Sequence, residues 1–269
     1  MTVEHTVTWH ITNYMPEMPR LWLVLFLVCI CTILALWGLR VIANVSGILL
    51  PIVVGLGIFV SAFNSPMKDY ALLRPMLEHG WEPVWPGIMF AGAGFVELAV
   101  LIVMQHHLKT KVKAWQLLLY GLFSIIISLG PIVGAITEFG PAEAAYQMTS
   151  PYEQWRLVQI GQFIEHLDFL SIFQWHSGAC IRISLSVYLL VELLSIRLPR
   201  YRYGVILAVM ASYLLLCMVS INEYSFYLWM SRYYMPISLT VLLSLSLLWM
   251  LAALIRGKEK RTPAKEGSA

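Results

Sequence analysis

The chain has 269 residues, 59% of them hydrophobic and 12% charged, with a mean hydropathy of +0.73. That is too apolar for a water-soluble domain, in which charged residues alone run to about 25%. The net charge of +3 comes from Lys and Arg at the ends of apolar blocks and forms no patch able to hold a nucleic-acid backbone.

Apolar blocks close to the ~20 residues that cross a bilayer as helix predict seven spans, at 21–39, 42–63, 84–104, 115–136, 171–194, 204–221 and 235–255. Inside hydrocarbon only helices satisfy the backbone of such segments, so the expected fold class is an all-α polytopic membrane protein. It forms a single membrane domain over 1–269: a polar external segment at 1–20, the seven spans within 21–255, an external amphipathic segment at about 141–170, and a basic tail at 256–269. The tail is expected to meet lipid headgroups. Twelve cationic residues, among them Arg40, Lys109, Arg200, Arg202 and Lys258, fall on one side of the membrane if the C-terminus is cytoplasmic, against five on the other. The positive-inside rule therefore places the C-terminus in the cytoplasm and, with an odd number of spans, the N-terminus outside.

The third span reads Phe90-Ala91-Gly92-Ala93-Gly94-Phe95-Val96-Glu97. Two glycines remove their Cβ atoms at mid-membrane just before a carboxylate. Such a helix can break and present backbone N–H and C=O groups to a small zwitterion, which makes Gly92, Ala93, Gly94 and Glu97 the candidate ligand-binding residues. Close packing of helices through small residues explains the same glycines. No span holds a Lys, so a retinal Schiff base has no candidate amine.

From Pro151 to Leu194 a continuous helix would run ~65 Å, twice the hydrocarbon thickness. Ile160, Phe163, Ile164, Leu167 and Leu170 follow helical spacing, which predicts an amphipathic helix on the outer surface running on into the fifth span. Within that span Ser171, Gln174, Gly178, Arg182 and Ser186 recur at steps of three or four and form a polar or small stripe expected to face the bundle, with Asp168 just before it as a candidate ion-pair partner. Arg182 requires a carboxylate, a carbonyl or water, with Glu97, Glu192 and Asp168 as candidate partners. Glu165, His166 and Asp168 lack the spacing of a metal or acid–base motif, so no catalytic residue, metal or cofactor is expected. Pro51 and Pro131 are expected to kink their helices. Cys29, Cys31, Cys180 and Cys217 all lie within spans, as small apolar packers.

Three runs, Glu138-Phe139-Gly140-Pro141-Ala142-Glu143-Ala144, Tyr152-Glu153-Gln154-Trp155-Arg156-Leu157-Val158 and Phe163-Ile164-Glu165-His166-Leu167-Asp168-Phe169-Leu170-Ser171-Ile172-Phe173-Gln174-Trp175, resemble the bacterial spore germination permeases. These are the B subunits of nutrient germinant receptors, within the amino acid–polyamine–organocation superfamily. The resemblance continues through Ser177-Gly178-Ala179 and Ile181-Arg182-Ile183-Ser184. It implies a ten-helix inverted-repeat (LeuT-like) transporter fold of which the seven spans match helices four to ten, with the glycine-interrupted span as helix six. It also implies that three helices precede Met1 in the family pattern, and an upstream start is the expected explanation. The implied function is that of a germinant-receptor subunit in the spore inner membrane, which binds a small germinant such as an amino acid. Its partners would be a larger membrane A subunit and a lipoprotein C subunit. Two other readings stay open: a proton-coupled amino-acid transporter using Glu97, and a truncated, non-binding structural subunit.

Overall fold

A computed structural model of the chain describes residues 15–78, 80–147, 149–161, 167–194, 196, 198–219 and 222–259, together with Val3, Thr6, Val7, His10 and Ile11. Regular structure among these residues is helical, and the protein is an all-α, multi-pass integral membrane protein. Six helical stretches are long and apolar enough to cross a membrane: Arg20–Trp37, Leu39–Phe63, Val84–His107, Ala114–Phe139, Phe169–Leu193 and Tyr224–Ile255. Pro199–Leu216 is a further helix of 18 residues, with Arg200 and Arg202 in its first turns.

The chain divides into two units, the first comprising 1–76 and 112–220, the second 77–111 and 221–269. In the first, α1 (Arg20–Trp37) and α2 (Leu39–Phe63) are separated by Gly38 alone. Its φ of 90° and ψ of 178° form a backbone region almost restricted to glycine, so the chain turns without a loop. After α5 (Ala114–Phe139) come two short helices, α6 (Pro141–Tyr146) and α7 (Ser150–Arg156), and then α8 (Phe169–Leu193) and α9 (Pro199–Leu216). Helix α8 packs against α1, α2 and α9, and α1 also packs against α9. Its buried face is Ser177, Cys180, Ile183, Ser184, Val187 and Val191, small or β-branched side chains that let the helix axes come close. Ser184 donates to the carbonyl oxygens of Cys180 (2.6 Å) and Cys31 (3.2 Å), so its hydroxyl ties α8 to α1 without leaving a buried group unpaired. At the start of α1 the Arg20 Nε donates to the Cys217 carbonyl at the end of α9 (2.6 Å), a cation placed where the helix dipole is negative.

Part of the polar 1–20 segment packs into the first unit. Val3, Thr6, Val7 and His10 are buried, and both valines belong to the same core as Val24, Leu27 and Val187. The Trp175 indole donates to the Thr6 hydroxyl (2.9 Å), and the rings of His10 and His176 meet edge to face at 4.3 Å. Val3, Thr6, Val7 and His10 are spaced at three and four, so two valines and two polar side chains share one buried face.

The amphipathic helix expected from Ile160 to Leu170 and on into the fifth span is not continuous in the described residues. Helix α7 stops at Arg156, residues 157–160 are not helical, and Gly161 has φ +63°, a left-handed conformation that ends a helix. Val158 is instead buried with Trp155 and Val60, with Leu167 and Leu170 packed against them. The 162–166 part of that expectation, including Phe163, Ile164, Glu165 and His166, lies outside the described residues.

In the second unit, α3 (Val84–Phe95) tightens into a 3-10 turn at Val96–Ala99, resumes as α4 (Val100–Met104) and ends in a second 3-10 turn at Gln105–His107. The last span begins earlier than the sequence suggests. Helix α10 (Glu223–Trp229) passes through a π turn at Met230–Tyr234 into α11 (Met235–Glu259). Met235 N–H bonds to the Met230 carbonyl, one residue further back than in an α-helix. The cause is Pro236: it has no N–H for the Arg232 carbonyl, and its ring would strike that carbonyl in a regular α turn. Helix α11 packs against α3. The expected basic tail is helical as far as Glu259, and its residues from Lys260 on lie outside the described ones.

Candidate functional site

The four residues expected to bind ligand lie together on the interrupted helix of the second unit. Ala93 is buried, Gly92 and Glu97 are half-buried, and Gly94 is exposed. The backbone does not unwind there. Val96 N–H bonds back to the Gly92 carbonyl, and Val100 N–H bonds to those of Glu97 and Leu98, so the glycines continue the helix and the irregularity falls one turn later, at Glu97. A 3-10 turn inside a helix carries poorer hydrogen-bond geometry and marks a place where the helix adjusts at low cost. Gly92 has a packing role as well, since a Cβ there would lie 3.4 Å from a Leu239 methyl of α11. A Cβ on Gly94 would meet nothing within 4 Å. The two glycines therefore differ: one seats a neighbouring helix, and the other leaves backbone uncovered.

The polar stripe divides. Ser171 is buried and donates to the Asp168 carbonyl (2.5 Å), while the Asp168 side chain, at the N-cap of α8, makes no capping bond. Gln174 is a bridge: its Nε2 donates to the Val53 carbonyl of α2 (3.1 Å), and its Oε1 accepts from the Trp155 indole of α7 (3.1 Å). Gly57 makes room for this amide, since a Cβ there would lie 3.6 Å from the Gln174 nitrogen. Gly178, Arg182 and Ser186 are exposed. The stripe thus does not face the bundle along its whole length, because the apolar and small residues one step round the helix take the interface with α1.

A second polar constellation, in the first unit, was not anticipated. The fully buried Asn64, which ends α2, donates from Nδ2 to the Gln154 carbonyl (2.8 Å) and to Glu138 Oε2 (3.3 Å). Lys68 lies 3.7 Å from Glu138 Oε1, with side-chain exposures of 6% and 0%, and also donates to the carbonyl and hydroxyl of Ser61. The Asp69 N–H bonds to the Thr137 carbonyl (2.9 Å), and Gln154 Nε2 to that of Pro131 (2.6 Å). This network clamps α7 and the segment after α2 onto the end of α5. Asn64 Oδ1 and Glu138 Oε1 are buried acceptors without a hydrogen-bond donor among the described residues. Glu138, Gln154 and Trp155 fall inside the runs that carry the family resemblance, and that is the signal through which the network could have been found.

Comparison with known proteins gives the following. A family model described as "Spore germination protein" matches residues 10–226. The curated "Spore germination protein XB" of Bacillus anthracis is 41% identical over 261 residues, which are 97% of this chain and 73% of that protein. No solved structure matches the chain.

Proposed function

The chain belongs to the spore germination protein family, and from that premise we propose that it is the membrane subunit of a nutrient-germinant receptor, which binds a small germinant such as an amino acid and so triggers germination. The observation that carries this reading is Glu97, a carboxylate within an apolar span, on the one turn at which that helix leaves α geometry, three residues after an uncovered glycine. A carboxylate and nearby backbone groups suit the ammonium and carboxylate of an amino acid, and a helix that adjusts cheaply can hold two packings. The germinant shifts the receptor from one packing to the other by its differential affinity for the two. In this role the protein is no enzyme. It sits in the inner membrane of the spore with its C-terminus in the cytoplasm, beside a larger membrane A subunit and a lipoprotein C subunit.

The same carboxylate favours a second reading, a proton-coupled amino-acid carrier, since a group that gains and loses a proton inside a span is what such coupling needs. Spores lacking the gene and complemented with Gly92→Val or Glu97→Gln separate the readings. A receptor predicts a germinant dose response shifted to higher concentration, by about tenfold, with the protein still in the membrane and no uptake of labelled amino acid into proteoliposomes. An unchanged dose response in both variants removes this helix from the site. Uptake that Glu97→Gln abolishes makes the protein a carrier.

A further inference from the structure

Where α1 meets α2 in the first unit, the start of α9 and the end of α8 leave a cavity of about 330 Å3. Buried Ala35 and Ile206 give it an apolar floor, and Gly38, Tyr188, Arg202 and Tyr203 line it further. Gly38 keeps it open, since a Cβ there would sit 3.6 Å from the Tyr188 ring, and φ +90° discourages any side chain. The Arg202 guanidinium lies over the Tyr188 ring, 4.6 Å from its centroid. Stacking occupies the flat face of the guanidinium and leaves its edge N–H donors for an acceptor. Arg202 forms no ion pair among the described residues.

Arg202 in the cavity lining, and Arg40 and Arg200 two residues along the chain from lining residues, run against the helix dipoles. Arg40 is the second residue of α2, and Arg200 and Arg202 are the second and fourth of α9, positions where the backbone already carries partial positive charge and acidic side chains are favoured. A cation at a helix N-terminus repels the dipole unless an anion joins it. Trp37 and Tyr201, the chain neighbours of the lining residues Gly38 and Arg202, are 67% and 63% exposed, and such aromatic side chains sit at the level of lipid headgroups.

We propose that this cavity binds the phosphate of an anionic phospholipid, the phosphodiester oxygens on Arg202 and the glycerol end of the lipid on the apolar floor. Basic pockets between membrane helices take anionic headgroups in this way. A soluble phosphate offers the same oxygens without the apolar body, so the experiment must tell the two apart.

The test is native mass spectrometry of the full chain released from micelles holding equal amounts of phosphatidylglycerol and phosphatidylcholine. The wild type is expected to retain phosphatidylglycerol about tenfold over phosphatidylcholine. Arg202→Gln brings the two to parity, Arg202→Lys, which keeps the charge and loses the stacked fork, falls between, and Lys109→Gln, an exposed cation outside the cavity, stays within about twofold of wild type. Equal retention in Arg202→Gln and wild type overturns the proposal, as does an equal loss in Lys109→Gln, which signals diffuse surface charge. If Arg202→Gln does not fold, a wild-type ratio in Arg202→Lys overturns it. Loss of the preference in about 10 mM inorganic phosphate, a concentration that leaves lipid packing intact, assigns the pocket to a soluble phosphate instead and overturns the lipid assignment.

Discussion

Gly134 sits under the Gln154 side chain so closely that a Cβ would lie 2.6 Å from its Oε1. Gly134→Ala must push that amide off the Pro131 carbonyl, and the expected cost is about 1–3 kcal/mol, the loss of a buried hydrogen bond plus strain, read as a lower melting temperature in detergent. Beside it, Glu138 and Lys68 hold opposite charges almost out of reach of solvent. Lys68→Met leaves the Glu138 carboxylate with Asn64 as its donor among the described residues and is expected to destabilise by about 3–5 kcal/mol, whereas the double variant Lys68→Met with Glu138→Leu recovers most of this. A double-mutant cycle of melting temperatures checks both numbers. At this scale the sequence is least legible. Lys68 reads as an ordinary charge of an outer loop, Glu138 as its counterpart at a span end, and Asn64 as a turn former. Nothing local distinguishes them from their solvated neighbours Asp69 and Glu143, both exposed. Glu97, Gly92 and Gly94 were legible because a charge and two missing side chains in an apolar run stand out against their immediate neighbours.

Helices were readable wherever about twenty apolar residues run on, and their irregularities only where proline or glycine betrays them. Pro236 is the second residue of the last span as the sequence predicts it, 235–255, and it is the reason for the π turn before it. Pro236→Ala restores an N–H for the Arg232 carbonyl and removes the obstruction, so an ordinary α-helix becomes available. Losing the extra residue of the π turn rotates α10 relative to α11 by about 100°, the angle of one residue. Phe226, now 9% exposed, and Tyr224, 60% exposed, report this when each is replaced by cysteine. Maleimide labelling is expected to be slow at Phe226→Cys and fast at Tyr224→Cys in the parent, and to move toward equal rates when Pro236→Ala is added. Unaltered rates would show that packing and not proline holds the π turn. The external segment carries the opposite lesson. Its helical spacing around Ile160 was present in the sequence, yet Gly161 turns left-handed and Val158 is drawn into contact with Val60 and Trp155. Tertiary burial outweighed a local pattern that offered a helix little more than a lipid surface to lie on.

For the whole molecule, the distribution of charge predicts orientation. With Arg40, Lys109, Lys111, Lys113, Arg200 and Arg202 on one side, alkaline phosphatase fused after Lys113 or at the C-terminus is expected to be inactive, since that enzyme matures only outside the cytoplasm, and a fusion after Tyr146 is expected to be active. Active C-terminal fusions would invert the topology. The sequence by itself determined the class of the molecule, the places of six apolar spans and the family to which it belongs. Hydrocarbon permits an apolar chain only one local way of pairing its N–H and C=O groups, and motifs are local runs. Only the tertiary structure decided which polar groups meet. Asn64 finds Glu138 and Gln154 across 74 and 90 residues, Gln174 reaches Val53 across 121, and Thr6 receives the Trp175 indole across 169. Such pairings depend on how helices rotate and approach, which side-chain volume at their contacts governs and which no window of sequence contains.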